Sequence, residues 1–276
     1  MSAYTQRDET VLTKKIGKLL KFRDQAEVKT LLEERLFKIG EKGFICDTET
    51  KGYPTPNNRD PLEIVLDATD GFIPLWASDV TLRWRFQETA LLQFENVEEI
   101  KTYVRQLFAE GVLLWGDAVP VRFKEAQDAW DFEIVVKAEN KCSEIGCTLA
   151  SAFFPDGGRH EVKVYPRMFQ QSRKEQVETI AHEVGHIFGL RHFFADVSET
   201  AWPVEIFGAH QRFSIMNYGS DSTMTDNDRN DLKSLYTLAR SGALTHINGT
   251  PIRLVQPFSA TEAPTFGIDL IAARRV

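Results

Sequence analysis

The stretch HEVGHIFGLRH, residues 182 to 192, contains the residues whose types and spacing are best suited to chemistry. His182 and His186 are four residues apart, and on a helix this spacing places both imidazoles on one side, one turn apart. Two imidazoles in this arrangement can bind a single metal ion. Apolar residues at helical intervals, among them Val184, face nearly the opposite way. The sequence therefore predicts a helix with one face in the core and the other in a cleft.

His192 is the third candidate ligand of that metal. On a continuous helix it would lie about 15 Å beyond His182, too far away to share an ion. Gly189 removes this difficulty, because glycine can adopt the positive φ that ends a helix and turns the chain back. Three neutral imidazoles leave a tetrahedral Zn²⁺ with one open position, which is typical of a catalytic site. The sequence thus predicts one catalytic Zn²⁺ bound by His182, His186 and His192.

Glu183 is adjacent to the first ligand but projects to the flank of the two histidines, so that it need not bind the metal. A carboxylate there can accept a proton from zinc-bound water, whose pKa zinc lowers toward about 7. The resulting carboxylic acid can then protonate a leaving amine. We therefore expect peptide-bond hydrolysis with Glu183 as general base and then general acid, acting on a protein or peptide substrate.

The pattern H-E-x-x-H-x-x-G-x-x-H resembles the signature of the metzincin metallopeptidases, in which a Met-turn follows the zinc motif. SIMNYG, residues 214 to 219, resembles that turn. The resemblance assigns Met216 as an apolar floor beneath the histidines. It also assigns Tyr218, in the S-x-M-x-Y form of astacin-like and serralysin-like members, as a zinc ligand at rest and a donor to the tetrahedral intermediate. A core methionine and a buried structural tyrosine are the alternatives.

The order of segments between about residues 80 and 238 resembles the matrixin-like branch of that family. In such enzymes an edge strand above the zinc binds the substrate backbone, and TLASAFF is the candidate here. The structural-zinc loop of matrixins is not recognisable, because His160 lacks the expected histidine and aspartate partners. We expect no second zinc and predict that His160 is a solvated loop residue. The glycine and aspartate repeats of serralysins are also missing.

The elements that must position these residues have an α+β pattern. Capping residues predict helices that begin at Asn96, Ser172 and Thr225, and a glutamate three residues after each of the first two has capping-box spacing. Short β-like runs are TLRWRF, VPVRF, FEIVV, TLASAFF and EVKVY. The resemblance implies a metzincin-like catalytic domain with a twisted mixed sheet, a long active-site helix, a Met-turn and a C-terminal helix.

The composition changes along the chain and indicates three segments. Residues 8 to 39 have the spacing of two amphipathic helices, and glycines and prolines predict a loop over residues 40 to 62. We therefore divide the chain into a helical N-terminal segment (1–75), a zinc peptidase domain (76–240) and a C-terminal extension (241–276) with a short apolar run at IRLV.

The N-terminal segment contains FICDT, with Cys46 beside Asp47. In the metzincin superfamily such a segment often blocks the cleft by placing a cysteine or an aspartate on the zinc. A Cys46 thiolate could take the open zinc position and silence the enzyme. FICDT differs from the matrixin switch P-R-C-G-x-P-D, and an ordinary buried thiol is the alternative.

The charge and composition of the chain limit the classes of partner that we expect it to bind. The formal net charge of −7 disfavours nucleic acid, and no apolar run approaches the roughly 18 residues of a membrane span. The polar N-terminus is unlike a signal peptide, so we expect a cytoplasmic protein or non-classical export. Three cysteines are too few for a disulfide framework, although Cys142 and Cys147 could pair in an oxidising compartment.

Two other functions remain open from the sequence. The first is a zinc-stabilised binding or inhibitory protein on a peptidase scaffold, with Tyr218 or Cys46 as the fourth metal ligand. Glu183 argues against it, because a structural zinc site needs no base. The second is a zinc hydrolase that acts on a non-peptide bond.

Overall fold

The computed structural model describes residues 19–24, 64–67, 71–143, 146–191, 204–207, 214–216 and 223–261. The α-helices in these ranges are α1 (Glu88–Leu91), α2 (Val97–Leu113), α3 (Arg173–Ile187), α4 (Asp226–Arg240) and α5 (Phe258–Thr261). The strands are β1 (Ile64–Asp67), β2 (Ile73–Trp76), β3 (Thr81–Phe86), β4 (Arg122–Glu125), β5 (Phe132–Val136), β6 (Lys141–Ser143), β7 (Gly146–Thr148), β8 (Ala150–Ser151), β9 (His160–Val164), β10 (Val204–Phe207), β11 (His246–Ile247) and β12 (Thr250–Val255). None of these helices combines the length and apolarity that a membrane span needs.

The largest sheet has five strands in the order β4-β3-β5-β9-β8. The first four are parallel to one another, and β8 pairs antiparallel with β9 at the edge. In β3, Leu82, Trp84 and Phe86 alternate with less buried residues, as expected of a strand with one face on the core. The mixed sheet and the helices together confirm the predicted α+β class.

Helices α2 and α3 pack against each other at close range. A Cβ built at Gly111 of α2 would lie 2.5 Å from Cγ2 of Ile180 and 3.1 Å from the backbone nitrogen of Ala181 on α3. Phe108 of α2 also reaches the sheet, with its ring centroid 6.0 Å from that of Phe132 on β5. The helix that carries the metal motif is therefore fixed through α2 to the sheet.

The C-terminal part of α3 is fixed by three side-chain donors. The indole N–H of Trp76 donates to the carbonyl of Ile187 at 2.7 Å, and the hydroxyl of Tyr236 donates to Phe188 at 3.0 Å. The indole of Trp115 donates to Ala181 at 2.9 Å. The first two bonds satisfy carbonyls at the end of α3 that have no partner within the helix.

The chain after α4 contributes to the same core. Strand β12 runs parallel to β2, with Ile252 opposite Ile73 and Leu254 opposite Leu75. The apolar run IRLV thus forms most of β12. Beyond it, the backbone N–H of Ser259 donates to the buried carboxylate of Asp131 at 2.7 Å.

One predicted helix cap is wrong. Helix α2 begins after Asn96, but Asn96 makes no side-chain cap bond to the helix backbone. Its amide oxygen instead accepts from the backbone N–H of Lys21 at 3.1 Å, and its amide nitrogen donates to the carbonyl of Leu19 at 2.6 Å and to Glu99 at 2.8 Å. The side chain is therefore committed to the N-terminal segment.

Most of the predicted N-terminal helices, over residues 8 to 39, lies outside the described residues. Within it, residues 19–24 are described and run along the loop before α2. Phe22 forms an isolated antiparallel bridge with Phe94, and Leu20 is buried in the core. This piece of the N-terminal segment therefore packs on the folded body of the protein.

Candidate metal centre

Helix α3 carries the motif and has well-defined ends. At its start, Ser172 and Glu175 form the predicted capping box, in which each side chain accepts from the other residue's backbone N–H. At its end, Gly189 has φ +94°, and its N–H donates to the carbonyl of His186 at 2.8 Å. The chain therefore turns at Gly189, as the motif predicts.

His182 and His186 meet on one side of α3. Their Nε2 atoms are 3.2 Å apart, and the ring planes are nearly perpendicular. The Nδ1 atom of His182 is 2.7 Å from the carbonyl oxygen of Ile215, and that of His186 is 2.7 Å from the carbonyl oxygen of Leu190. Because a carbonyl oxygen can only accept, each Nδ1 carries the proton. In the neutral rings, each Nε2 therefore presents a lone pair.

These two nitrogens fit a zinc ion. Backbone carbonyls that accept from Nδ1 fix the tautomer of metal-ligating histidines in this way. Two nitrogens bound to one tetrahedral Zn²⁺ at 2.0–2.1 Å are about 3.3 Å apart. The 3.2 Å between the Nε2 atoms of His182 and His186 is close to that value.

His192, the third predicted ligand, lies outside the described residues. The described stretch that contains α3 ends at Arg191, one residue after Leu190. The N–H of Leu190 donates back to the carbonyl of Gly185 at 3.0 Å, and the carbonyl of Leu190 accepts from His186. In the described ranges no three histidine, cysteine or acidic side chains form a metal-binding group. Ligation by His192 therefore stays a prediction.

Glu183 is buried on α3 between the two histidines in sequence. Its removal from water raises the pKa of its carboxyl to about 8, because burial penalises the charged form. A nearby dication has the opposite effect and favours the carboxylate. Glu183 thus combines burial with a place directly after His182 on α3.

Met216 packs directly against the backbone of α3 at this place. A Cβ built at Gly185 would collide with Sδ of Met216 and would lie 3.0 Å from Cζ2 of Trp115. Gly185 directly precedes His186 in the chain. The methionine therefore occupies a buried position next to the histidines, and the absence of a side chain at Gly185 permits it.

The segment that carries Met216 is tied to the start of α4 by Asp228, a residue that the sequence analysis did not single out. The buried carboxylate accepts from Oγ of Ser214 at 2.5 Å and from the backbone N–H of Ile215 at 3.4 Å. It also accepts from the N–H and the hydroxyl of Thr225, at 2.8 and 2.7 Å, in a capping box. The spacing of threonine and aspartate at this helix start was the signal that could have indicated it.

The predicted edge strand is shorter than TLASAFF. Only Ala150 and Ser151 pair with β9, as β8, while β7 ends at Thr148 in a separate hairpin. After β8 the chain turns toward the metal motif. The ring of Phe154 packs against that of His186 with centroids 5.5 Å apart. Phe154 is the second residue near the centre that the sequence analysis missed.

His160 is not a solvated loop residue, so that prediction is wrong. It begins β9, and its ring stacks on that of Phe153 with centroids 4.3 Å apart and planes 5° from parallel. Its Nε2 lies 3.7 Å from Oδ1 of Asp156. His160 lies two residues after the glycine pair, which favours a loop, but strand pairing with Phe132 draws it into the sheet.

Three other predicted residues, Tyr218, Cys46 and Asp47, lie outside the described residues. Their assigned roles stay predictions. Cys142 and Cys147 are described, and a disulfide joins them across the hairpin of β6 and β7.

Comparisons with known proteins give only distant structural similarity. No family model matches the sequence, and neither does the sequence of any curated protein. One structure of myroilysin is similar at 13% identity and a TM-score of 0.41, covering 62% of this chain and 98% of that chain. High choriolytic enzyme 1, a hatching enzyme zinc-protease from Oryzias latipes (medaka fish), is similar at 13% identity and a TM-score of 0.37, covering 62% of this chain and 92% of that chain.

Proposed function

We propose that this protein is a zinc-dependent endopeptidase of the metzincin type. The observation that carries the proposal is the pair of facing Nε2 atoms of His182 and His186, each with its Nδ1 hydrogen-bonded to a backbone carbonyl. Two nitrogens bound to one tetrahedral Zn²⁺ lie about 3.3 Å apart, and the 3.2 Å between these two atoms is close to that value. The buried Glu183, which directly follows His182 in the chain, adds the base that a hydrolase needs and a structural zinc site does not.

In this proposal His182, His186 and His192 bind Zn²⁺. Zinc supplies the Lewis acidity that activates water and polarises the scissile carbonyl. Glu183 accepts the proton of the attacking water on a carboxylate oxygen and then delivers it to the leaving nitrogen. The hydroxyl of Tyr218 donates to the oxyanion that develops on the carbonyl.

The remaining parts of the proposal come from the family resemblance. Met216 forms the apolar floor, the segment order is that of the matrixin-like branch, and the S-x-M-x-Y sequence is that of astacin-like and serralysin-like members. The peptidase domain spans residues 76–240, between the N-terminal segment and the C-terminal extension. Cys46 or Asp47 acts as a latency ligand.

Substitution of Glu183 tests the mechanism. We expect Glu183→Ala to bind zinc but to hydrolyse peptides at least 10²-fold more slowly, because general acid-base catalysis contributes about 10²- to 10⁴-fold. Glu178→Ala is the matched control. Glu178 lies on the same helix and accepts from Thr223 at 2.8 Å. The measurements are kcat/KM on a mixed peptide library and zinc content by elemental analysis.

Two outcomes would contradict the proposal in different ways. Undiminished hydrolysis by zinc-loaded Glu183→Ala rules out the proposed role of this carboxylate. The second outcome is a wild-type protein that binds one zinc ion per chain and cleaves no peptide, with or without residues 1 to 75. That result favours the zinc-stabilised binding or inhibitory protein.

A further inference from the structure

We propose that Phe154 forms one wall of a subsite for an apolar substrate side chain, aromatic in preference, that flanks the scissile bond. The inference rests on the proposed peptidase function and adds to it the class of substrate. It starts from the position of the Phe154 ring, which contacts a predicted metal ligand and is not fully buried.

The backbone on both sides of Phe154 is held in place. Phe153 is buried, and its ring packs against His160 at 4.3 Å and Phe132 at 5.4 Å between centroids. Pro155 is also buried, and its Cγ would lie 3.5 Å from a Cβ built at Gly189. Phe154 is therefore presented by a fixed segment between two core contacts, as a recognition residue requires.

The surroundings of the ring define its chemistry. His186 packs against it in a T-shaped arrangement, with planes at 76°. The guanidinium of Arg191 lies 5.5 Å from the ring centroid. An aromatic ring offers apolar contact area at a low entropic cost. This surface therefore suits an apolar substrate side chain, and an aromatic side chain suits it best.

The position of Phe154 relative to the metal motif sets which substrate residue it meets. It follows Ser151, the last residue of edge strand β8, by three residues. A peptide that pairs with this edge runs past Phe154 on its way to the histidines. Because the Phe154 ring packs on His186, which would bind the catalytic zinc, we assign the side chain that touches this ring to a residue next to the cleaved bond.

The first test compares peptide hydrolysis by Phe154 variants. The probes are fluorogenic peptides built on a sequence that the wild-type protein cleaves, with Phe or Gly placed in turn at each residue that flanks the scissile bond. At one of these positions we expect Phe154→Ala to lose about tenfold in kcat/KM on the Phe peptide and little on the Gly peptide, since one missing apolar contact discriminates by about 10- to 200-fold. Phe169→Ala is the matched control. Phe169 is half-buried and packs against Tyr103, with ring centroids 6.1 Å apart.

The second test measures binding without turnover. In zinc-loaded Glu183→Ala protein, fluorescence anisotropy gives the Kd of the same peptides. We expect the additional Phe154→Ala substitution to raise the Kd of the Phe peptide about tenfold and to leave that of the Gly peptide unchanged. If Phe154→Ala does not fold, Phe154→Leu replaces it, and we then expect a preference that moves from Phe toward Leu.

The outcomes separate this inference from the proposed function. An equal loss on the Phe and Gly peptides, or a loss of bound zinc, overturns the subsite and leaves Phe154 as a support for His186. Failure of the wild-type protein to hydrolyse any peptide contradicts the peptidase proposal. The binding experiment is then run with a fixed peptide sequence that carries Phe or Gly at one position, and it still decides whether Phe154 recognises an apolar side chain.

Discussion

At the scale of single residues, Gly185 determines how closely Met216 approaches the metal motif. A Cβ at Gly185 would collide with Sδ of Met216 and crowd the indole of Trp115 at 3.0 Å. Alanine favours a helix over glycine by about 0.5–1 kcal/mol, but overpacking a buried site costs about 1–3 kcal/mol. We therefore expect Gly185→Ala to lower the free energy of unfolding by about 1–2 kcal/mol and to weaken zinc binding. Urea denaturation and zinc titration measure the two effects.

A double-mutant cycle supplies the control for this prediction. If the collision with Met216 causes the loss, Gly185→Ala should cost less in a Met216→Ala background than alone. A Gly185→Ala protein that is more stable than the wild type would mean that helix propensity dominates and that the contact is loose.

The residue scale also shows how far the motif spacing predicts the centre. The interval between His182 and His186 predicts two imidazoles on one side of a helix, and the structure brings their Nε2 atoms to 3.2 Å. The carbonyl that accepts from His182 belongs to Ile215, 33 residues later in the chain. No local pattern identifies that partner, because tertiary folding alone brings it there. Phe154 escaped prediction for the same reason.

At the scale of elements, α4 positions the metal-motif helix through the segment that carries Met216. Asp228 at the start of α4 accepts hydrogen bonds from Ser214 and Ile215, and the carbonyl of Ile215 accepts from His182. Loss of an orienting partner of a metal ligand typically costs about 10- to 100-fold in metal affinity. Two hydrogen bonds in series therefore link Asp228 at the start of α4 to the imidazole of His182.

We expect Asp228→Asn to reveal this link. An amide retains one acceptor oxygen, so that some of the donors on Ser214, Ile215 and Thr225 lose their partner. Hydrogen bonds to charged groups contribute about 1.5–3 kcal/mol, and we expect a loss of stability in that range together with about tenfold weaker zinc binding. Thermal denaturation and zinc titration test both parts.

The same turn of α4 offers a matched control for Asp228. Asp226 precedes it by two residues, and its side chain is 92% exposed and paired with Arg229. Asp226→Asn removes the same charge from the same helix start, but an exposed ion pair contributes only about 0–1 kcal/mol. Equal effects of the two substitutions would show that helix-start charge matters and that the link to His182 does not.

Local signals predicted the starts of α2, α3 and α4 and the full extent of β3 and β5, but not the length of the edge strand. The capping residues Ser172 and Thr225 mark the starts of α3 and α4 correctly, because a cap is formed by residues within one turn. Asn96 also marks the start of α2 correctly, but its side chain does not cap the helix, because the backbone of Leu19 and Lys21 competes for its amide. Edge strand β8 is shorter than its β-like run, since pairing with β9 and not propensity sets its length.

At the scale of the whole molecule, pairing between distant segments lay beyond the sequence analysis. Strand β12 joins β2 in parallel, almost 180 residues away along the chain, and β2 supplies the indole of Trp76 to the end of α3. The run IRLV has the composition of a strand, but nothing in it specifies β2 as the neighbour. The C-terminal extension therefore supports α3, the helix that carries the metal motif. Its position after the predicted peptidase domain did not suggest this role.

The disulfide between Cys142 and Cys147 provides a prediction about the whole chain in solution. The protein has three cysteines, so that one thiol should react in denatured, unreduced protein and three after reduction. The bridge closes a short hairpin directly before edge strand β8, and a loop of this size stabilises by about 2 kcal/mol in the chain-entropy treatment. We expect the double variant Cys142→Ser, Cys147→Ser to lose up to that amount of unfolding free energy, measured by urea denaturation.

A Cys46→Ser protein is the control, because it removes a thiol without opening the hairpin. Three reactive thiols in unreduced protein prepared under oxidising conditions would contradict the pairing. A normal thiol count with unchanged stability in the double variant would instead mean that the hairpin is held by its strand pairing alone.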